Sequence, residues 1–249
     1  MRLGATLVHL SDAPPYATAR WAERLVAAGF ESLWTPEVVG RGALVPDPFV
    51  TLAAAAAVTE DVELGTATVQ VPLHHPAELA HRMLSLQALC GDRLTLGVSP
   101  GSTAADYLAL ERDHSTRFAA FGRDVDRLRT LLADGGDDHA TLAPAPPRRP
   151  DLLLGSWGRN VERAAREFDG WLAAGTRRPV EQIVEAHERY RAAGGARAVV
   201  CAVPVDRDDP GVTADALRRY AEAGFDDAVV LLAPDGPSPE EVRSLLPRP

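Results

Sequence analysis

The segment Gly155-Ser156-Trp157-Gly158-Arg159-Asn160 brings small residues, a hydroxyl, an indole, an arginine and an amide together just ahead of a helical pattern. A helix N-terminus presents free backbone N–H groups and the positive end of its dipole, so these six residues have the chemistry of an anion cradle. A plain helix entry would carry much the same residues, and from this stretch alone both readings stand. His9 and Glu37 are the candidate proton-handling groups. An imidazole at position 9 could bond a substrate carbonyl or relay a proton near neutral pH, or simply meet solvent in a loop. Glu37 could orient a ring or protonate a substrate, or serve as an arginine-paired structural carboxylate. His74 and His75 shape a turn, with cofactor contact as the second reading, and neither makes a metal motif; no metal is expected. Trp157 is a candidate to stack on a flat ring, whereas Trp34 and Trp171 are expected to pack between strands and helices. His114 and Arg117 lie on a segment that either closes over a site or forms a solvated helix face.

Several chemistries are excluded by residue type. All 26 basic residues are arginine. Without lysine the chain cannot form a Schiff base, anchor pyridoxal phosphate or complete a GxxxxGK nucleotide loop. A formal net charge of -9 argues against nucleic-acid binding, because no basic field is available to release counterions from phosphates. Cys90 and Cys201 form no CxxC pair and are read as small core residues. No apolar run approaches the length of a membrane span, and a cytoplasmic protein acting on a small molecule is expected.

These residues must be held by a scaffold, and the sequence alternates strand and helix signals throughout. Strand patterns fall at 2–8, 31–35, 62–71, 93–98, 152–154, 170–174, 198–203 and 228–232. Helical spacing occupies 16–28, 47–58, 76–90, 107–133 with a break near Gly122, 161–168, 179–193, 213–223 and 239–246. The tract 135–150, rich in Gly, Asp and Pro, is the only linker-like piece and is too short to separate domains. Eight strand–helix units with right-handed crossovers predict a single (β/α)8 TIM barrel over residues 1–249, one domain of ordinary length for this α/β class. A doubly wound open sheet is the alternative. In such barrels reactive groups sit after the strands, which selects His9, Pro36-Glu37, residues 68–75, Ser99 to Ser102 and Gly155 to Asn160. The usual barrel phosphate corner, after strands seven and eight, is expected to be lost here, since Asp206, Asp208 and Asp209 would repel an anion.

Two longer blocks carry a resemblance. Residues 64–76 (LGTATVQVPLHHP) and 86–98 (LQALCGDRLTLGV), with 27–34 (AAGFESLW) and the DGWL of 169–172, resemble the bacterial luciferase-like family of flavin and deazaflavin oxidoreductases. The resemblance covers about two-thirds of the chain in order. It implies a barrel that holds FMN or the deazaflavin coenzyme F420 over the strand ends, with the phosphate tail in the Gly155 to Asn160 cradle. It also implies a non-proline cis peptide at Ala67-Thr68 in a bulge of the third strand, with Ser99 and Gly101 lining the same cavity. The implied reaction is hydride transfer to or from a small organic substrate, or monooxygenation with FMN. A flavin-binding barrel without catalysis and an unrelated barrel lyase are the alternatives. Members that oxidise alcohols with deazaflavin tend to have Asp-His after strand two and an acid after strand four, where this sequence has Glu37-Val38 and Ser102, which favours reduction of an activated double bond or monooxygenation over oxidation of an alcohol or sugar phosphate. Phe121 and Arg127 stand where the family usually has Arg and Glu. Members often pair through helices, which leaves a homodimer open.

Overall fold

The computed structural model describes residues 1–8, 17–233 and 236–246. Among them, eight parallel strands close into a barrel: β1 (Arg2–Thr6), β2 (Ser32–Thr35), β3 (Glu63–Gln70), β4 (Leu94–Ser99), β5 (Asp151–Gly155), β6 (Gly170–Ala174), β7 (Arg197–Pro204) and β8 (Asp227–Leu231). Each strand pairs with the next in chain order. Ala5 lies level with Leu33 on one side and with Val230 on the other, so β8 returns to β1 and the open sheet is excluded.

Helices cover the outside: α1 (Thr18–Ala28), α2 (Pro48–Ala56), α3 (Pro76–Cys90), α4 (Ala104–Ala109), α5 (Arg117–Asp134), α6 (Asn160–Glu167), α7 (Val180–Ala192), α8 (Pro210–Glu222) and α9 (Pro239–Ser244). Local chemistry sets their ends. Asp47 accepts hydrogen bonds from the amides of Phe49 and Val50 ahead of Pro48, a cap worth about 1 kcal/mol, and Gly29 takes the left-handed conformation that ends α1. The 107–133 pattern resolves differently from the expectation. The break falls at Leu110–Thr116, where Glu111 has φ 53° and the Asp113 carboxylate accepts from the Ser115 amide, while α5 runs unbroken through Gly122. Phe121, Val125 and Leu128 bury one face of α5 and outweigh the glycine's helix cost of about 1 kcal/mol. Within 135–150, Gly136–Asp137 and Ala140–Thr141 form a short antiparallel hairpin.

Side chains alternate across each strand, which creates two cores. Outward residues such as Leu3, Leu64, Leu96 and Leu154 meet the helices, and Cys90 is buried there as expected. Inward residues, Trp34, Leu153, Leu172, Val199, Cys201 and Val229, fill the barrel itself. Trp171 packs outside, as read from the sequence. Trp34 does not: it shares inward parity with Ser32, whose hydroxyl accepts its indole N–H at 2.8 Å. Room for the ring comes from Gly65 on β3, where a Cβ would sit 2.3 Å from it. Below Trp34 the barrel base is polar. Arg197 donates to Glu63 at 2.8 Å and to Asp227 at 2.9 Å, and Arg2 forms ion pairs with both carboxylates from β1.

Candidate functional site

The opposite end of the barrel, where β2 to β5 finish, gathers most of the residues singled out in the sequence. The β3–β4 register slips between Thr66 and Val69, and the Ala67-Thr68 peptide bond is cis, at the place the resemblance implied. Thr68 joins its neighbours on both sides. Its hydroxyl donates to Ser99 Oγ at 2.7 Å, and its carbonyl accepts from the Glu37 amide at 3.4 Å. Ser99 Oγ also accepts the Gly101 amide at 3.2 Å. On the far side of Thr68 lies Gly155, where a Cβ would approach Thr68 Cγ2 to 2.6 Å and Ser99 Cβ to 3.5 Å. Ala67, Thr68, Ser99, Gly101 and Gly155 therefore form one wall of small groups across three strand ends.

The wall runs on into the β5–α6 turn. Ser156 Oγ donates to the Asn160 carbonyl at 3.0 Å, and its own carbonyl accepts the Trp171 indole N–H at 3.2 Å, so this residue shapes the turn. Gly158 has φ 63°, and a Cβ placed on it would meet nothing within 4 Å. Arg159 is exposed beside it at the start of α6, without a side-chain cap on the helix amides. Trp157 is half-buried 6.5 Å from Trp171, and the Arg178 guanidinium, from the loop after β6, lies 4.2 Å over its ring. Its face is thus shared between the outer core and a cation.

Glu37 is buried at the other edge, and both its carboxylate oxygens are engaged. Oε2 accepts the Gln70 amide at 2.7 Å, and Oε1 lies 2.7 Å from His74 Nε2. The Gln70 side-chain amide in turn donates to the Glu37 carbonyl and, at 2.9 Å, to Asp106 Oδ2. Asp106 is fully buried in α4 and paired through both oxygens with Arg41; it also accepts from the Val39 amide. Burial opposes ionisation of Asp106, but the Arg41, Gln70 and Val39 hydrogen bonds outweigh it and hold the carboxyl below the usual carboxylate range. Next to it, burial pushes the Tyr107 phenol up to about 12, and its O–H donates to the Pro100 carbonyl. His114 sets its ring edge-on to Tyr107 at 5.1 Å, and Arg117 donates to the His114 carbonyl, so both residues belong to this packed corner.

Sequence reasoning missed Arg41 and Asp106, and reached Gln70 only as part of the 68–75 stretch. Asp106 lies four residues beyond Ser102, in the first turn of α4. It could be read only as a first-turn helix acid. His9 lies outside the described residues. At the end of β7, Asp206 Oδ1 accepts the amides of Asp208 and Asp209, and Asp209 caps α8, which accounts for that acidic cluster structurally. Among the described residues no group of His, Cys, Asp and Glu is placed to hold a metal ion, and no helix is long and apolar enough to cross a membrane.

Residues 2–228 match the family model described as luciferase-like monooxygenase. The chain belongs to the luciferase-like monooxygenase family. Among curated relatives, 4-hydroxyprotoasukamycin monooxygenase of Streptomyces nodosus subsp. asukaensis is 36% identical over 142 residues, which span 53% of this chain and 38% of that one. The match therefore covers well under half the length of that relative. Among solved structures, the monooxygenase RslO1 from Streptomyces bottropensis superposes with a TM-score of 0.80 at 22% identity, covering 98% of this chain and 96% of its own. An F420-dependent secondary alcohol dehydrogenase, in complex with an F420–acetone adduct, gives 0.80 at 16% identity with 98% of both chains covered. At these identities the two structures establish the shared barrel.

Proposed function

We propose that this luciferase-like chain is an oxidoreductase that holds the deazaflavin F420 or FMN at the β3–β5 strand ends and exchanges a hydride with a small organic substrate. The observation that carries this reading is the small-residue wall of Thr68, Ser99 and Gly155, continuous with an open helix N-terminus at Gly158. The residues fit the group. A flat tricyclic ring needs a wall without bulky side chains, and Gly155 already presses on Thr68 so closely that a single added methyl would displace it. A phosphate needs unpaired amides and positive charge; Asn160 and Val161 donate to the Trp157 and Gly158 carbonyls, but among the described residues the Gly158 and Arg159 amides leading into α6 have no acceptor, and Arg159 with Arg178 supplies the charge.

When bound, the cofactor supplies a centre that gives or takes a hydride, and FMN adds reactivity with oxygen. The chain's own residues do the rest. Gly158 lets an anion approach the α6 amides, which a side chain would obstruct. Ser99, having accepted from Thr68 and Gly101, keeps its own O–H proton to donate. Trp34 and the inner core close the floor beneath Ala67 and keep water from entering the reaction from below.

Titration of the purified protein with FMN and with F420, followed by quenching of cofactor fluorescence, tests the reading. Micromolar binding of one of them, with hydride transfer or oxygen uptake across a substrate panel, is the expected result. Failure of both to bind at micromolar concentration would sink it.

A further inference from the structure

Resting on that reading, we propose that His74 is the proton acceptor and donor of the site, with Nδ1 as the working atom and Glu37, Gln70, Asp106 and Arg41 as positioning residues. Val38, which follows Glu37 after β2, has no proton to exchange. The structure places an imidazole against Glu37 from a different element, the turn between β3 and α3.

The hydrogen bonds fix its proton. The Gln70 backbone N–H can only donate, so it claims Glu37 Oε2 as an acceptor. Oε1 of the ionised carboxylate then accepts from His74, which sets the neutral ring with its hydrogen on Nε2 and the lone pair on Nδ1. Among the described residues Nδ1 has no hydrogen-bond partner, and it is not a buried orphan atom, so it is open to a proton. Behind Glu37 the chain continues through the Gln70 amide to Asp106 and Arg41, which ties the loops after β2, β3 and β4 into one brace. Gly40 reinforces it, with Ala105 and Ala109 of α4 packed where its Cβ would lie. The same bonds explain why Glu37 is not itself the reacting acid: both oxygens are committed.

With an alcohol as substrate, each bond broken is matched by one formed. The carbinol C–H bond breaks, and its hydride leaves with both electrons for the oxidised deazaflavin or flavin. The O–H bond breaks, its proton forms a new bond to His74 Nδ1, and the carbon becomes a carbonyl. The imidazolium then returns the proton to water. Carbonyl reduction is the reverse, with the imidazolium donating.

Long-range proton–nitrogen NMR of the histidine-labelled protein reads the tautomer directly, with His74 assigned from the spectrum of His74→Asn. Wild type is expected to carry the hydrogen on Nε2. In Glu37→Gln the amide carbonyl must face the Gln70 N–H, so its NH2 faces His74 and the hydrogen moves to Nδ1. Asp106→Asn, which leaves the Glu37 carboxylate and the Gln70 backbone amide in place, is expected to keep the hydrogen on Nε2. Saturating wild type with whichever of FMN or F420 binds should shift the His74 Nδ1 resonance. An Nδ1–H tautomer in wild type, or no inversion in Glu37→Gln, overturns the proposal. So does a bound cofactor that leaves Nδ1 unmoved. If neither cofactor binds, the oxidoreductase reading fails, and the role given to His74 falls with it, whatever the tautomer.

Discussion

Gly158 and Gly194 provide a matched pair for testing the anion cradle. Both have positive φ, 63° and 89°, and at both an added Cβ would meet nothing within 4 Å. Alanine at either position consequently costs only the backbone penalty, about 1–2 kcal/mol for a non-glycine residue in the left-handed region. For a chain of this size that lowers Tm by roughly 2–8 °C, and the two variants should match. They differ in place. Gly194 follows α7 at the base of the barrel, whereas Gly158 sits at the α6 N-terminus. If amides at Gly158 hold a cofactor phosphate, the methyl of Gly158→Ala removes a charge-assisted hydrogen bond worth about 1.5–3 kcal/mol, roughly 10- to 150-fold in Kd. Gly194→Ala should leave Kd unchanged. Thermal melts and fluorescence titrations on the same preparations give both numbers. A Kd for Gly158→Ala within about twofold of that for Gly194→Ala, at equal loss of Tm, would refute the cradle.

Three further outcomes are expected. His187 is buried, accepts from Arg191 Nε at 3.0 Å and stacks on Phe225 at 4.2 Å; burial, with the Arg191 charge adding, brings its pKa down to about 4. The unfolded chain takes up this proton near pH 6.5 and the folded one only near 4, so stability falls by about 3 kcal/mol as pH drops through that window. Denaturant unfolding should show His187→Gln losing this component. Arg197→Met strands Glu63 and Asp227 at the barrel base and should cost towards the lower end of about 3–5 kcal/mol, because Arg2 still forms ion pairs with both, with cofactor Kd unaltered. Asp106→Asn should lose about 1.5–3 kcal/mol at pH 7. Since the Asp106 carboxyl is held low in the fold, its contribution is present above the unfolded carboxylate value and disappears as pH falls through the folded one, so in urea melts the gap between wild type and variant should begin to narrow below about pH 4 and close only below the folded value.

The barrel was legible because its signals are local and repeat eight times. Gly29, Asp47-Pro48 and Pro76 mark helix ends through backbone chemistry that needs no partner elsewhere. The cis bond at Ala67-Thr68 was reached only through resemblance, since nothing in two small strand residues announces it. Trp34 was misplaced because a four-residue strand gives no hydrophobic contrast between its faces; all of Ser32 to Thr35 are buried. The helix break was assigned to Gly122, although Glu111 and Asp113 impose it, because glycine is the more conspicuous residue. The brace from Arg41 to His74 spans three loops, and pairings at separations of 33 to 65 residues leave no trace in spacing. Arg41 between two glycines and Asp106 in a helical first turn each had an adequate local explanation.

Trp34 and Gly65 also set a rule for how this barrel can vary. The ring occupies the volume that residue 65 gives up, one layer beneath Ala67, so the two positions behave as a single shared allotment of space. A larger residue at 65 is tolerable only with a smaller one at 34, and the reverse exchange leaves a void. The depth to which a molecule can sink between the strand ends is therefore limited by the layer in which this indole sits, beneath Ala67.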